Sequence, residues 1–284
     1  MIKVELLDTF RLTYDDRPIA LQPMQATLIT VLWCLGRSAE TDQLADALWE
    51  VPSQGSSHTL RARRDQVRIH VSRTRRAVAA SGCRSREEFI TTGQAGAGRT
   101  LYQLTKNIVF DADQFLALTR DGLRALARGE YQRAADVLTS GLDLWGSVTA
   151  HDQVLAGVPG RPFVEEAIIR LREARRDAMA GLGKAEISIG LHRKAASDLK
   201  FLARDWPDDL EIAHLLAIAL SRSGQPGAAS EVVRQMIVLA HEAGVDDRAF
   251  LDLQKAILDG TLSSQGPPPF QPPETYASTH AVHS

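Results

Sequence analysis

Cysteine is nearly absent from this chain. Cys34 and Cys83 lie far apart and form no Cys-x-x-Cys pair. That excludes a disulfide framework and a cysteine-rich zinc site, and it predicts two reduced thiols, one of them a core residue, in a cytoplasmic protein. No stretch approaches the ~20 apolar residues of a membrane span, so no membrane partner is expected. Lys3 and Glu5 stand where a signal peptide needs an apolar run. The histidines have no metal-ligand spacing, and no nucleophile motif is present. Glu165 and Glu166 beside Arg170 and Arg172 read as an exposed, ion-paired helix face. Gly93, Gly96 and Gly98 lack the following Lys-Ser/Thr and helix start of a phosphate loop, so they read as a hairpin tip. These absences exclude the common enzyme classes, and no cofactor or metal is expected. Lysine is scarce too: of 33 basic residues 27 are Arg and 6 are Lys, a skew that suggests a GC-rich genome.

What is present is arginine in one place. Residues 61–76 hold seven arginines and one acid, Asp65. Within this stretch Val67, Val71, Thr74 and Val78 recur at helical spacing and form one narrow inward stripe. The guanidinium groups lie mostly off it. So few acids leave little i,i+4 pairing to account for a merely solvated face, and planar guanidinium groups suit phosphates and the edge of guanine. Residues 1–104 carry 14 basic and 11 acidic side chains, for +3; residues 105–262 carry 19 and 23, for −4. Positive charge is therefore focused on one helix of a near-neutral body.

Around that helix the pattern predicts short strands at Ile2–Leu6, Phe10–Thr13 and Ile19–Leu21, with a turn at Asp15–Pro18. Helices follow at about Met24–Leu35 and, capped by Thr41, through Trp49. The basic helix runs from about Ser57 to Ala80. Phe89–Thr92 and Thr100–Leu104 then flank the glycine-rich tip. From Asp111 the pattern is helical throughout, with at least three helix pairs by residue 260. Gly129, Gly190 and Gly224 each precede an alanine by five positions, and the last two lie 34 residues apart, the tetratricopeptide period. Trp33, Trp49, Trp145 and Trp206 fall mostly on apolar stripes. The Pro-rich end reads as a disordered tail. The domains expected are 1–105, a winged helix; 106–262, a helical repeat; and 263–284, the tail. The fold class is mainly α with a small β component: an N-terminal winged helix-turn-helix followed by an all-α tetratricopeptide-like domain.

The chain resembles the Streptomyces antibiotic regulatory protein family over residues 1 to about 260. The likeness rests on Leu48-Trp49, on Val71-Ser72-Arg73-Thr74-Arg75-Arg76-Ala77-Val78, on Asp111-Ala112-Asp113-Gln114-Phe115, and on Leu142-Asp143-Leu144-Trp145-Gly146. Arg170-Leu171-Arg172-Glu173-Ala174-Arg175 and Ala219-Leu220-Ser221-Arg222-Ser223-Gly224-Gln225 extend it. Thr74 departs from the family's usual Leu. The resemblance implies an OmpR-type winged helix joined to a bacterial transcriptional activation domain, in the short form of the family. It implies a pathway-specific activator of an antibiotic or other secondary-metabolite gene cluster. Such an activator binds double-stranded promoter DNA at direct repeats near the −35 element, as a dimer or head-to-tail oligomer. It recruits RNA polymerase holoenzyme including its sigma factor.

Matched to the OmpR-type pattern, Gln66, Arg68 and Arg73 face base edges. Arg64, His70, Ser72 and Arg75 face phosphates, and Arg99 at the wing reaches the minor groove. The competing expectation is a tetratricopeptide-like adaptor whose N-terminal domain binds a protein or an anionic ligand. DNA retention at moderate salt discriminates between the two.

Overall fold

A computed structural model describes residues 1–49, 57–82, 89–96, 99–146, 155, 162–242, 244 and 246–262, with backbone alone at 57–60. Cys83, Gly98 and the tail from 263 lie outside the described residues. The chain divides into two compact units, Met1–Leu116 with Asp143–Glu173, and Ala117–Leu142 with the residues from Ala174 onward.

The first unit opens with β1 (Ile2–Glu5), β2 (Arg11–Tyr14) and β3 (Arg17–Pro18). In β1 the alternation buries Ile2 and Val4 and leaves Lys3 and Glu5 at the surface. Between β2 and β3 the turn is shorter than the sequence suggests. Asp15 and Asp16 both adopt positive φ, 47° and 61°, as a two-residue type I′ hairpin requires. Pairing therefore resumes at Arg17, and the third strand is Arg17–Pro18 instead of Ile19–Leu21. A parallel strand, β7 (Ile108–Phe110), joins β1 with Val4 opposite Phe110, so the sheet order is β3-β2-β1-β7. Three residues are too few to carry a readable alternation, and the partner lies a hundred positions away.

Helices α1 (Pro23–Cys34), α2 (Thr41–Leu48) and α3 (Ser57–Ala80) follow. Asp42 sits in the first turn of α2, and the capping position is Glu40, not Thr41, whose hydroxyl donates instead to the Thr100 carbonyl at 3.2 Å. A second sheet has the order β4-β6-β5, from β4 (Ser38–Glu40), β6 (Arg99–Leu104) and β5 (Ile90–Ala95). The hairpin β5–β6 stays paired out to Ala95 and Arg99, further than Thr92 and Thr100. Trp33 and Trp145 are buried, the latter edge-to-face with Phe115 at 5.2 Å, whereas Trp49 is half-buried. Cys34 is half-buried and free, and burial pushes its thiol up to about 11, so it is an inert thiol at neutral pH.

Asp111 joins the sheet to the start of α4 (Asp111–Ala127). Its Oδ1 accepts from the amides of Leu6 (2.8 Å) and Ala112 (2.7 Å), and its Oδ2 accepts from Leu7 at 3.2 Å. Burial pushes this carboxyl up to about 6, against the downward pull of the three amides. A raised native value means that stability from this group is complete below about 4 and is lost as pH rises through about 6. The loss amounts to roughly 3 kcal/mol, at about 1.4 kcal/mol per pKa unit. In Asp111→Asn, Oδ1 keeps two donors while the new NH2 faces the Leu7 amide, so the variant is weaker overall but lacks this pH step. Urea unfolding followed by tryptophan fluorescence at pH 4 and pH 7 measures both proteins. The gap between wild type and Asp111→Asn is expected to narrow by about 2–3 kcal/mol at the higher pH; a gap that is constant across the range rules out the assignment.

The second unit is helical. It holds most of α4, then α5 (Tyr131–Leu142), the later part of α6 (Pro162–Ser188), α7 (His192–Asp205), α8 (Leu210–Arg222), α9 (Pro226–Glu242) and α10 (Arg248–Leu258). The repeated Gly-x4-Ala turn has one construction. Gly190 and Gly224 sit at φ +86° and +85°, and the amide after each reaches back to the previous helix: Leu191 to the Glu186 carbonyl (2.8 Å), Gln225 to Leu220 (2.9 Å). Glu130 does the same to Ala125 at 3.0 Å. That is a Schellman ending, which a side chain at the left-handed position would strain. Ala134, Ala195 and Ala229, five residues on, are all fully buried where the next helix begins to pack.

Candidate nucleic-acid interface

Helix α3 exists as a helix because one stripe of it is dry. Val67, Val71, Thr74 and Val78 are exposed by 2% or less. The buried Thr74 hydroxyl is satisfied by donating to the His70 carbonyl at 2.8 Å, so a polar atom occupies a core position at little cost. The rest of the helix is anchored by its neighbours. Arg75 is half-buried, donating Nε to the Ile90 carbonyl (2.8 Å) and Nη2 to the Thr92 hydroxyl (2.6 Å), which ties the β5–β6 hairpin to the helix. His70 is also half-buried, its ring 6.1 Å from that of Trp49, and burial followed by the Arg73 charge holds its pKa below the usual value.

At 100° per residue, the direction opposite the buried stripe is occupied by Ile69 and Arg76, with Arg73 and Ser72 about 50° to either side. Gln66 is about 70° away and Arg68 about 90°. All six are exposed, Ile69 by 39%. Arg73 and Arg76 have no hydrogen bond or ion pair among the described residues. The structure thus brings Gln66, Arg68, Ser72 and Arg73 to one open face and sets Arg75 and His70 at its buried edges. Arg64 pairs with both oxygens of Asp42, and Arg68 pairs with Asp65 at 3.1 Å. At the hairpin Arg99 pairs with Glu40 at 2.7 Å and donates Nε to the Gly96 carbonyl.

Sequence reasoning missed Ile69 and Arg76, although the stripe's own periodicity places them outermost. It also missed the partners Glu40 and Asp42, which come from a strand and a helix start too far away in sequence to be read as neighbours. Among the described residues no group of His, Cys, Asp and Glu could hold a metal ion. Within those same residues no helix is long and apolar enough to cross a membrane.

Residues 110–258 match the family model of the bacterial transcriptional activator domain. The regulatory protein AfsR of Streptomyces coelicolor is 31% identical over 241 residues, covering 83% of this chain and 22% of AfsR. The regulatory protein DnrI of Streptomyces peucetius is 29% identical over 161 residues, covering 55% of this chain and 57% of DnrI. The chain therefore spans about a fifth of AfsR and just over half of DnrI. Among solved structures, Mycobacterium tuberculosis EmbR in complex with a low affinity phosphopeptide superposes with a TM-score of 0.73 over 99% of this chain and 68% of EmbR. At 24% identity that likeness establishes the fold: a winged helix with a helical, tetratricopeptide-like domain.

Proposed function

We propose that this chain, which belongs to the bacterial transcriptional activator domain family, is a regulator of the Streptomyces antibiotic regulatory type that activates transcription by binding promoter DNA through α3. The observation that carries this reading is the open face of α3, where Arg73 and Arg76 stand exposed on a helix packed from behind by α1 and α2 and tied to the β5–β6 hairpin through Arg75. A helix so supported fits a major groove, and its hairpin reaches the adjoining backbone or minor groove. Arg73, Arg68 and Gln66 read base edges. Ile69 supplies an apolar contact of the kind that suits a thymine methyl. Arg76 and Ser72 join the phosphate contacts. Arg75 acts through the hairpin it holds; Arg64 reaches phosphate, and Arg99 the minor groove or the backbone beside it, by leaving their carboxylates.

The operator is a direct repeat near the −35 element of a secondary-metabolite promoter, occupied head to tail. The helical unit contacts RNA polymerase and its sigma factor, for which a stacked helical repeat is a suitable scaffold. Footprinting on DNA upstream of neighbouring biosynthetic genes tests this. Two protected half-sites in the same orientation are expected, retained at moderate salt and weakening as salt rises. Absence of retention at any salt leaves the adaptor reading in its place.

A further inference from the structure

The open face of α3 ends beside a small charged cavity of about 210 Å3, lined by Glu40, Asp42, Arg64, Arg68 and Arg99. Glu40 and Asp42 flank Thr41 at the start of α2, and Thr41 is bonded to the Thr100 carbonyl, so the two carboxylates are fixed beside the start of β6, at the tip end of the hairpin's pairing. Each holds one arginine of the anion-facing surface: Asp42 takes Arg64 through both oxygens, with Nη2 to Oδ2 at 2.7 Å, and Glu40 takes Arg99 at 2.7 Å. The arginine next to it lowers the pKa of Asp42, chiefly through that hydrogen bond, so the acid is ionised at neutral pH. Together the five side chains carry three positive and two negative charges. The cluster presents +1 to an approaching phosphate where the arginines alone would present +3.

Both pairs are exposed at the guanidinium, which makes them weak and readily exchanged. An arginine that leaves its carboxylate for a DNA phosphate gains a similar partner. The carboxylate left behind then faces a polyanion. We propose that Glu40 and Asp42 are built-in competitors of the DNA backbone, holding Arg64 and Arg99 in the free protein and restraining affinity for DNA of any sequence. This rests on the DNA-binding reading above. It adds that two acids at the mouth of the interface, and not only the arginines, set how tightly the protein holds DNA.

Asp42→Asn and Glu40→Gln remove one negative charge each and keep the shape. Each is expected to tighten binding to both operator and unrelated duplex DNA. The plot of log affinity against log salt is expected to steepen by about 0.9, the value for one more phosphate neutralised. At 0.15 M salt that slope corresponds to a gain of about fivefold. Asp42→Glu keeps the charge and is expected to bind as wild type does. Fluorescence anisotropy with a labelled duplex, from 0.05 to 0.4 M salt, reads all of these. If wild type binds but Asp42→Asn is unchanged or weaker, the acids buttress the arginines and the competitor role is overturned. If wild type fails to bind at any salt, the DNA-binding reading itself fails.

Discussion

Arg73→Ala is expected to abolish operator-specific binding while leaving the protein folded. Arg73 is exposed and has no hydrogen bond or ion pair among the described residues, so truncation breaks neither kind of bond there. Its thermal unfolding is expected to stay within about 0.5 kcal/mol of wild type, as for other surface changes. The loss falls on DNA. An arginine reading a guanine through two hydrogen bonds is worth about 1–3 kcal/mol. Two protomers on a direct repeat double that to about 2–6 kcal/mol, comparable with the roughly 4–10 kcal/mol that separates specific from non-specific binding. Non-specific retention survives, because most phosphate contacts remain. A gel-shift titration on operator DNA decides the matter, and wild-type-like affinity sinks the assignment. A second reading is independent of DNA. Burial first, and the Arg73 charge second, depress His70. Removing Arg73 is therefore expected to move the His70 pKa part of the way back up, seen by NMR titration.

The face that Arg73 occupies was legible in the sequence because helical periodicity is a local signal. Four residues at the right spacing fixed the buried side of α3 and with it the open side of Gln66, Arg68 and Arg73, although Ile69 and Arg76 at the centre of that side were passed over. Thr74 broke the apolar pattern at one position, yet its hydroxyl is absorbed by the His70 carbonyl one turn back. The repeat of the helical unit was legible for a similar reason. A left-handed turn demands glycine, and the tight start of the next helix demands alanine at a fixed distance. What the sequence hid was non-local. Strand β7 is three residues whose partner is β1, and β4 is three residues whose partner is β6. Neither is long enough to show alternation. The charge partners of Arg64 and Arg99 were hidden for the same reason. Counting seven arginines against one acid along α3 overstates its free charge, because Asp42 and Glu40 come from elsewhere in the chain.

Arg176→Ala is expected to destabilise the helical unit by about 3 kcal/mol or more. This residue lies in α6 with only 19% of its side chain exposed. Its guanidinium donates Nε and Nη2 to Asp209 (2.8 and 2.9 Å), Nη2 to Glu211 (2.7 Å) and Nη1 to Asp177 (2.9 Å). Burial works against its charge, but the surrounding carboxylates outweigh it and hold the pKa above the ordinary arginine value. Asp209 has a second duty: its Oδ1 accepts from the amides of Glu211 (3.0 Å) and Ile212 (3.1 Å) and caps α8. Taking away the cation therefore leaves two half-buried carboxylates facing each other at the helix start. Removing one partner of a buried pair costs about 3–5 kcal/mol, and partial exposure here favours the lower end. The cause is the stranded charge and not lost packing, which a second protein separates. Arg176→Met keeps the aliphatic stem and is expected to be nearly as unstable as the alanine variant. Combining it with Asp209→Asn and Glu211→Gln removes both stranded charges and preserves a capping side chain, since Asn caps as well as Asp. That triple variant is expected to recover most of the lost stability. Urea unfolding followed by far-ultraviolet circular dichroism compares all three. A triple variant no better than Arg176→Met would assign the loss to packing and remove the electrostatic lock.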